Sequence, residues 1–250
     1  MNTATGRWPI SSPRSSKQAD ERGSQMSSPP APERVSQRLK EQFAPAYLTL
    51  TSIIQGVALT ALVVRVEALY PHFGAVDWVL AIATFLVFVD VWHEYLMTVL
   101  AYVWTPTLLD TLVPFGFLAA ELFLAHFIND LRPWLLCYGL VALVGVGAWL
   151  HGQLRVRELA EENRDMHAIL ATPHSYRGML AAAVSLLSLA AFGLYTLLGL
   201  GSAQLVVALA ALAGTIAIIT SSIPMSKRIP RFAHGEPLAP ARRSRVRGRS

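Results

Sequence analysis

The sequence predicts an all-α polytopic membrane protein with six transmembrane helices and both termini in the cytoplasm. Two observations carry this prediction: six apolar stretches alternate with short polar breaks, and the basic residues between them fall almost entirely on one side. Hydrophobic residues make up 53% of the chain and charged residues only 15%, whereas soluble domains contain about 25% charged residues. Apolar stretches of this length must be helical in a bilayer, because no water is present there to bond the backbone.

Each predicted span is close to or above the roughly 20 residues that cross a hydrocarbon core about 30 Å thick. Tight breaks are predicted at residues 104–106, 129–133 and 199–202. The longest connection is His151–His174, where a helix is expected to extend the fourth span and to end at Pro173. The predicted spans are Tyr47–Leu69, Trp78–Tyr102, Leu108–Ile128, Pro133–Leu150, Arg177–Leu200 and Ala203–Ile223.

The distribution of basic residues predicts the orientation. All of the 21 Lys and Arg residues except Arg65 and Arg132 lie in the N-terminal segment, the connection between the fourth and fifth spans, or the C-terminal tail. An even number of helices places these three regions on one side, and the positive-inside rule makes that side the cytoplasm. We therefore expect a cell inner-membrane location, and we interpret the basic residues as topology determinants rather than as a nucleic-acid-binding surface.

Three regions are predicted along the chain. Residues 1–46 form a cytoplasmic segment that is rich in Ser, Pro and Arg and is disordered apart from a short surface helix. That amphipathic helix is expected to cover Glu33–Phe43 and to end before Pro45, because a residue that precedes proline disfavours helical backbone. Residues 47–223 form the transmembrane domain, and residues 224–250 form a basic, disordered tail.

Polar side chains inside the first three spans are the strongest functional signal. Asp90, His93 and Glu94 are spaced i, i+3 and i+4 and therefore share one helix face. Intramembrane ionisable groups cost about 2.5–3.5 kcal/mol each, so we expect them to face the bundle interior, a subunit interface or a water-filled path. Gln55 lies at the same predicted depth as His93 and Glu94, and these three are predicted to meet. Asp90 and Glu121 lie nearer the midplane.

The last three spans are predicted to be a packing scaffold, since they are built mainly from Ala, Gly, Leu and Val. Gly139, Ala142 and Gly145 share one face of the fourth span, and small residues allow helices to approach closely. Ser185 and Ser188 are expected to bond back to their own helix.

Three interpretations of the intramembrane polar residues stay open. They could form a structural hydrogen-bond network between the first three helices, or line and gate an ion path. The third possibility is a divalent-metal or proton-relay site that uses Asp90, His93, Glu94 and Glu121. The sequence contains no glycine-rich phosphate loop, no Gly-x-Ser-x-Gly motif and no HExxH motif. We therefore predict that the protein is not an enzyme and has no cofactor and no bound metal.

Three short segments resemble a known family. They are Gln55-Gly56-Val57 in the first span, Val91-Trp92-His93-Glu94-Tyr95 in the second and Leu112-Val113-Pro114-Phe115 in the third. In this order they are similar to the bacterial six-helix members of the endolysosomal potassium channel family, over about residues 47–128. Of the family's Phe-Ser-Asp-Gly-Val signature, this chain keeps the Gly-Val pair.

The resemblance implies a homo-oligomeric cation channel whose pore is lined by the first helix, with the bilayer and monovalent cations such as potassium as its other partners. Thr60 would stand where the family has its main constricting side chain, and Gln55 would bond to the Trp92 and His93 region of the second helix. The implied pore and gating network comprises Gln55, Leu59, Thr60, Val63, Trp92, His93 and Glu94.

Two other functions are compatible with the residues themselves. One is a non-conducting membrane scaffold or accessory protein, which the incomplete family signature and the apolar fourth to sixth spans favour. The other is a proton- or metal-coupled transporter that uses Asp90 and Glu121.

Overall fold

The computed structural model describes residues 31–104, 106–199 and 201–234. Over these residues the chain forms six long α-helices joined by short connections. All six are long and apolar enough to cross a membrane, which confirms the predicted all-α, multi-pass class. The chain divides into two units, Met1–Gln37 and Arg38–Ser250, and the six candidate spans lie in the second. The helices are α1 (Ala31–Leu69), α2 (Ala75–Ala101), α3 (Leu108–His126), α4 (Leu131–Glu158), α5 (Arg164–Leu198) and α6 (Gln204–Ala233).

The first helix is longer than predicted, because it does not end before Pro45. α1 runs from Ala31 through Pro45 to Leu69 without a break. Proline lacks the N–H that would bond the preceding turn, but membrane helices tolerate this loss when hydroxyl side chains bond nearby backbone groups. Here the Thr49 hydroxyl donates to the Pro45 carbonyl at 2.8 Å. The predicted boundary between residues 46 and 47 therefore falls inside a helix.

The connection between the fourth and fifth helices also differs from the prediction. α4 ends at Glu158, and α5 begins at Arg164 and continues past Pro173. The side chain of Asn163 explains where α4 stops, because its Nδ2 donates to the Leu159 carbonyl at 3.1 Å. Asn163 thereby satisfies one of the carbonyl groups that a helix end leaves without a partner.

The C-terminal region is helical beyond the predicted boundary at residue 224. α6 continues through Pro224 and Pro230 to Ala233. The extension is held against α5, because Arg228 Nη1 donates to the Ile169 carbonyl at 2.7 Å. The predicted disorder of residues 1–30 and 235–250 concerns positions outside the described residues.

The predicted tight breaks overlap the connections between helices, but α4 begins at Leu131, inside the break predicted at residues 129–133. Thr107 and Asp110 form a reciprocal capping box at the start of α3. Gly199 and Gly201 both have positive φ angles, 66° and 43°, which residues with a side chain rarely adopt. Thr105 and Leu200, which belong to two of these breaks, lie outside the described residues.

Packing centres on α2, α4, α5 and α6 rather than on the first three helices. The closest backbone approaches join α4 to α5, α2 to α6, α5 to α6 and α3 to α4. Gly139 allows α4 to approach α5 closely, since a Cβ there would lie 2.9 Å from the Leu189 side chain. This close approach is the one predicted for the small-residue face of the fourth span.

α1 is attached to the other helices through long side chains. The ring of Phe43 lies 5.5 Å from that of Trp104, and the rings of Tyr47 and Tyr95 lie 5.7 Å apart. Arg65 bonds the His126 carbonyl at the other end of the helix. The opposite side of α1 is an exposed apolar face formed by Ile53, Val57, Leu59, Val63 and Val64.

Candidate functional site

A buried ion cluster joins α2, α5 and α6. Arg177 Nη2 donates to Asp90 Oδ2 at 2.7 Å, and Arg177 Nε lies 2.8 Å from Glu94 Oε2. On the α6 side, Arg177 Nη1 donates to the Ile218 carbonyl at 3.0 Å and to the Ser222 hydroxyl. The Arg177 side chain is only 9% exposed. One guanidinium therefore links two carboxylates of α2 to the backbone and a side chain of α6.

Asp90 and Glu94 lie on one face of α2, as predicted, but their partner Arg177 was not predicted. Arg177 was grouped with the basic connection that precedes the fifth span, as a topology determinant. Carboxylates within a membrane are paired. An arginine at the edge of an apolar run was therefore a candidate partner for Asp90 and Glu94. The prediction that α4, α5 and α6 contribute only packing is therefore wrong.

His93 belongs to a separate contact between α2 and α6. Its Nε2 lies 3.0 Å from the Ser226 hydroxyl. Trp92, its neighbour in the sequence, is exposed on the outside of α2. The resemblance implied that both residues bond to Gln55, and they do not.

Gln55 instead bonds to Glu121 of α3. Gln55 Nε2 donates to both carboxylate oxygens of Glu121, at 3.0 and 3.1 Å, and Glu121 is 0% exposed. The predicted meeting of Gln55 with His93 and Glu94 is therefore wrong. Equal depth does not bring side chains together when the helix faces that carry them point in different directions.

A second polar pair joins the start of α3 to α4. His151 Nε2 lies 2.9 Å from Asp110 Oδ1, while Asp110 Oδ2 accepts from the Thr107 backbone N–H at 2.7 Å. Neither Asp110 nor His151 was predicted as a site residue. Each lies near the end of a predicted span, where a polar residue is ordinary, so the sequence carried little signal for this pair.

These two polar clusters lie in the wall of one internal cavity of about 170 Å³. Its wall is mainly apolar and is formed by α2, α3, α4 and α5, with single turns of α1 and α6. Gly145, Ala142 and Ala181 leave the space open, because their side chains are small or absent. The charged and titratable residues that line it are Asp90, Glu94, Asp110, His151, Arg155 and Arg177. The aromatic residues in the wall include Tyr47, Tyr95, Tyr102, Trp104, Tyr138 and Trp149.

Three residues in this wall carry a buried polar atom with no hydrogen-bond partner among the described residues. The atoms are Asp90 Oδ1, the Tyr95 hydroxyl and Trp104 Nε1. A buried polar group without a partner costs about 1–3 kcal/mol, and in native proteins such groups call for a specific explanation. Each of these atoms is itself buried, so it lies behind the surface of the cavity and not on it.

The segment between α2 and α3 forms part of the cavity wall and is bonded to Asn163. Asn163 Oδ1 accepts from the Val103 N–H at 2.9 Å, and Asn163 Nδ2 donates to the Val103 carbonyl at 2.8 Å. The two residues beside Val103, Tyr102 and Trp104, both line the cavity. We call the Asn163–Val103 pair the latch.

The pore-lining residues implied by the resemblance lie elsewhere. Leu59, Thr60 and Val63 are on the exposed face of α1, and the Thr60 hydroxyl donates to the Gly56 carbonyl of its own helix at 2.7 Å. None of these three residues lines the cavity. Ser185, which was expected to bond its own helix, instead donates to the Gly139 carbonyl of α4 at 2.9 Å.

Over the part of the chain that the structure describes, no three His, Cys, Asp or Glu residues are placed to hold a metal ion. The four residues of the metal or proton-relay interpretation are divided between separate contacts, with Glu121 on Gln55 and His93 on Ser226. No family model, curated protein or solved structure matches this chain.

Proposed function

We propose that this chain is a membrane transport protein that binds a small solute in the cavity between α2, α3, α4 and α5. The observation that carries the proposal is a single cavity whose wall contains both polar clusters, the one on Arg177 and the Asp110–His151 pair. A cavity lined by several ionisable residues inside a bundle of candidate membrane spans favours solute binding, because an intramembrane ionisable residue marks a functional site by default.

The elements around the cavity are suited to opening and closing it. The latch holds the α2–α3 segment by the side chain of one residue, Asn163. The ion cluster on Arg177 joins α2 to α5 and α6. A bound solute can replace some of the contacts that Arg177 makes. With the predicted topology, the latch faces the cytoplasm and the protein lies in the cell inner membrane. This proposal is closest to the coupled-transporter alternative, with Asp90 in the site and Glu121 in a separate structural pair.

Filling the cavity tests the proposal directly. A panel of small metabolites is screened for compounds that raise the melting temperature of the purified protein, since a ligand at one hundred times its Kd stabilises by about 2.7 kcal/mol. Ala142→Phe places a ring in the cavity wall and is expected to abolish every such shift. Leu143→Phe, one residue along α4 and exposed on the outside, is the matched control.

Compounds that stabilise the wild type and Leu143→Phe, but not Ala142→Phe, are then assayed for uptake into proteoliposomes. Uptake by the wild type and Leu143→Phe, but not by Ala142→Phe, supports transport. If every stabilising compound acts equally on Ala142→Phe, the cavity is not the binding site and the proposal fails.

The channel function implied by the family resemblance is a second candidate. The observation that favours it is the exposed apolar face of α1, which includes Val57 and Val63 and carries Thr60. In an oligomer of this chain, that face could line a path between copies. Potassium flux from proteoliposomes that Val63→Trp blocks, and that Leu194→Trp on the exposed side of α5 leaves intact, would support it. Wild-type flux no greater than that of empty vesicles would exclude it.

A further inference from the structure

Glu121 is buried inside a candidate membrane span with no positive charge beside it. The residue is 0% exposed and lies in the span Leu108–His126. Among the described residues its only hydrogen-bond partner is the Gln55 amide, and no Arg, Lys or His contacts it. An isolated ionised carboxylate is so costly in an apolar medium that such a group becomes neutral instead.

The carboxyl groups in the cavity wall have a different environment. Asp90 and Glu94 share the guanidinium of Arg177, which is always charged in proteins. Asp110 contacts a histidine ring of α4 at 2.9 Å. Each of these three therefore has a partner that is positively charged or can become so. Glu121 has only a neutral amide, and this contrast sets it apart.

The helices around Glu121 present no cation to it. α3 packs against α2 and α4 and is reached by a side chain of α1. From α1 it faces the Gln55 amide, and from α2 the nearby titratable group is the Tyr95 hydroxyl. That hydroxyl is buried and has no hydrogen-bond partner among the described residues. Within the same part of the chain, no charged or titratable group of α4 acts on Glu121.

Gln55 can serve a protonated Glu121 better than an ionised one. Its Nε2 donates to both carboxyl oxygens, at 3.0 and 3.1 Å, while its Oε1 is buried and accepts from no described residue. An ionised carboxylate only accepts hydrogen bonds, whereas a carboxylic acid also donates one. After a rotation of the amide, the acid O–H can donate to Oε1 while Nε2 still donates to the other carboxyl oxygen. The proton thus supplies the donor that Oε1 lacks.

We propose that Glu121 is a proton-binding site of the membrane domain, occupied at neutral pH, with Gln55 as its hydrogen-bond partner. The proton comes from water and adds to one carboxyl oxygen, which converts the carboxylate to a neutral acid. The site adjoins the solute cavity, because Tyr95 and Phe117, one turn earlier on α3, both line that cavity. Proton binding by Glu121 does not rest on the proposed function. Only its use as the ion that couples solute movement would.

Infrared spectroscopy of the full-length protein in detergent at neutral pH tests the proposal, because the carbonyl stretch of a carboxylic acid is separate from the bands of carboxylates and amides. The wild type is expected to show such an acid band. Glu121→Gln should lose it, and Glu161→Gln, which removes a carboxylate that is 93% exposed, should keep it. Gln55→Leu should keep the band but move it to higher frequency, because the acid carbonyl loses its N–H donor.

The wild-type spectrum alone can overturn the proposal, since the absence of an acid band at neutral pH means that Glu121 is ionised. A band that persists in folded Glu121→Gln belongs to another group and has the same consequence. If Glu121→Gln does not fold, Gln55→Leu assigns the band, and an unshifted band there counts against Glu121. The metabolite screen with Ala142→Phe judges the solute cavity separately, so either proposal can fail while the other stands.

Discussion

Arg177 Nη2 lies 2.7 Å from Asp90 Oδ2, and this contact joins two helices inside their candidate membrane spans. Taking charges out of water costs several kcal/mol per ion, so a buried pair is weak evidence for stability by itself. The pair instead specifies how the helices are arranged, because Arg177 of α5 also contacts Glu94 of α2 and Ser222 of α6. Only one relative placement of the three helices satisfies all of these contacts.

Arg177→Met is expected to destabilise the protein by up to about 3–5 kcal/mol, because it leaves two partly buried carboxylates without their cation. Thermal or denaturant unfolding in detergent, followed by circular dichroism, measures the loss. Arg164→Met is the matched control on the same helix. Its side chain is 74% exposed and lies 3.8 Å from Glu161, so a change within about 0.5 kcal/mol is expected. Similar stability of the two variants would contradict the assigned importance of the cluster.

Asn163→Ala is expected to release the α2–α3 segment. Asn163 is 2% exposed, and its removal leaves the Val103 N–H and carbonyl without partners, at about 1–3 kcal/mol. Hydrogen–deuterium exchange of the peptide that contains Val103 reports on the latch, since this amide donates directly to Asn163. Exchange there should become faster while exchange in α2 stays unchanged.

Asn129→Ala provides the control for the latch. Asn129 is exposed and accepts one hydrogen bond, from Arg65 at 3.1 Å, so its removal should leave exchange at Val103 unaltered. An Asn163→Ala variant with wild-type exchange at Val103 would show that the segment is held by other contacts.

The sequence was sufficient for the number and type of the helices but not for their mutual rotation. Apolar runs determine which segments enter a membrane, and all six appear where predicted. Partner choice depends on the direction in which each helix face points, and a single sequence does not contain this information. Gln55 was therefore assigned to His93 by depth, whereas it bonds Glu121.

Helix ends were predicted poorly for a related reason. Proline was given too much weight, because α1 continues through Pro45 and α6 through Pro224. The actual end of α4 is set by Asn163, which bonds carbonyl groups of the turn before it. An asparagine between charged residues is common in solvated connections, so nothing in the sequence distinguished it as a cap that also holds another loop.

Gly178→Ala is expected to separate α4 from α5. A Cβ at Gly178 would lie 2.5 Å from the Trp149 ring, and the Trp149 side chain has to move or the helices have to part. Overpacking of this kind costs about 1–3 kcal/mol. The unfolding midpoint measures the effect.

Gly193→Ala is the control on the same helix. A Cβ at Gly193 meets nothing within 4 Å, so this variant should be as stable as the wild type or slightly more stable. If Gly178→Ala unfolds at the same midpoint as Gly193→Ala, Trp149 can be displaced at little cost and the close approach is not a constraint.

Double-mutant cycles can test whether Gln55 and His93 belong to one network, as the family resemblance implied, or to two. Gln55 donates to Glu121, and His93 contacts Ser226, so the two variants Gln55→Leu and His93→Ala should add within about 0.3–0.5 kcal/mol. Gln55→Leu and Glu121→Leu remove opposite ends of one buried contact and should couple by about 0.5–3 kcal/mol. The free energies of unfolding of the single and double variants measure both terms. Strong coupling between Gln55 and His93, with none between Gln55 and Glu121, would restore the helix-one to helix-two network and with it the channel hypothesis.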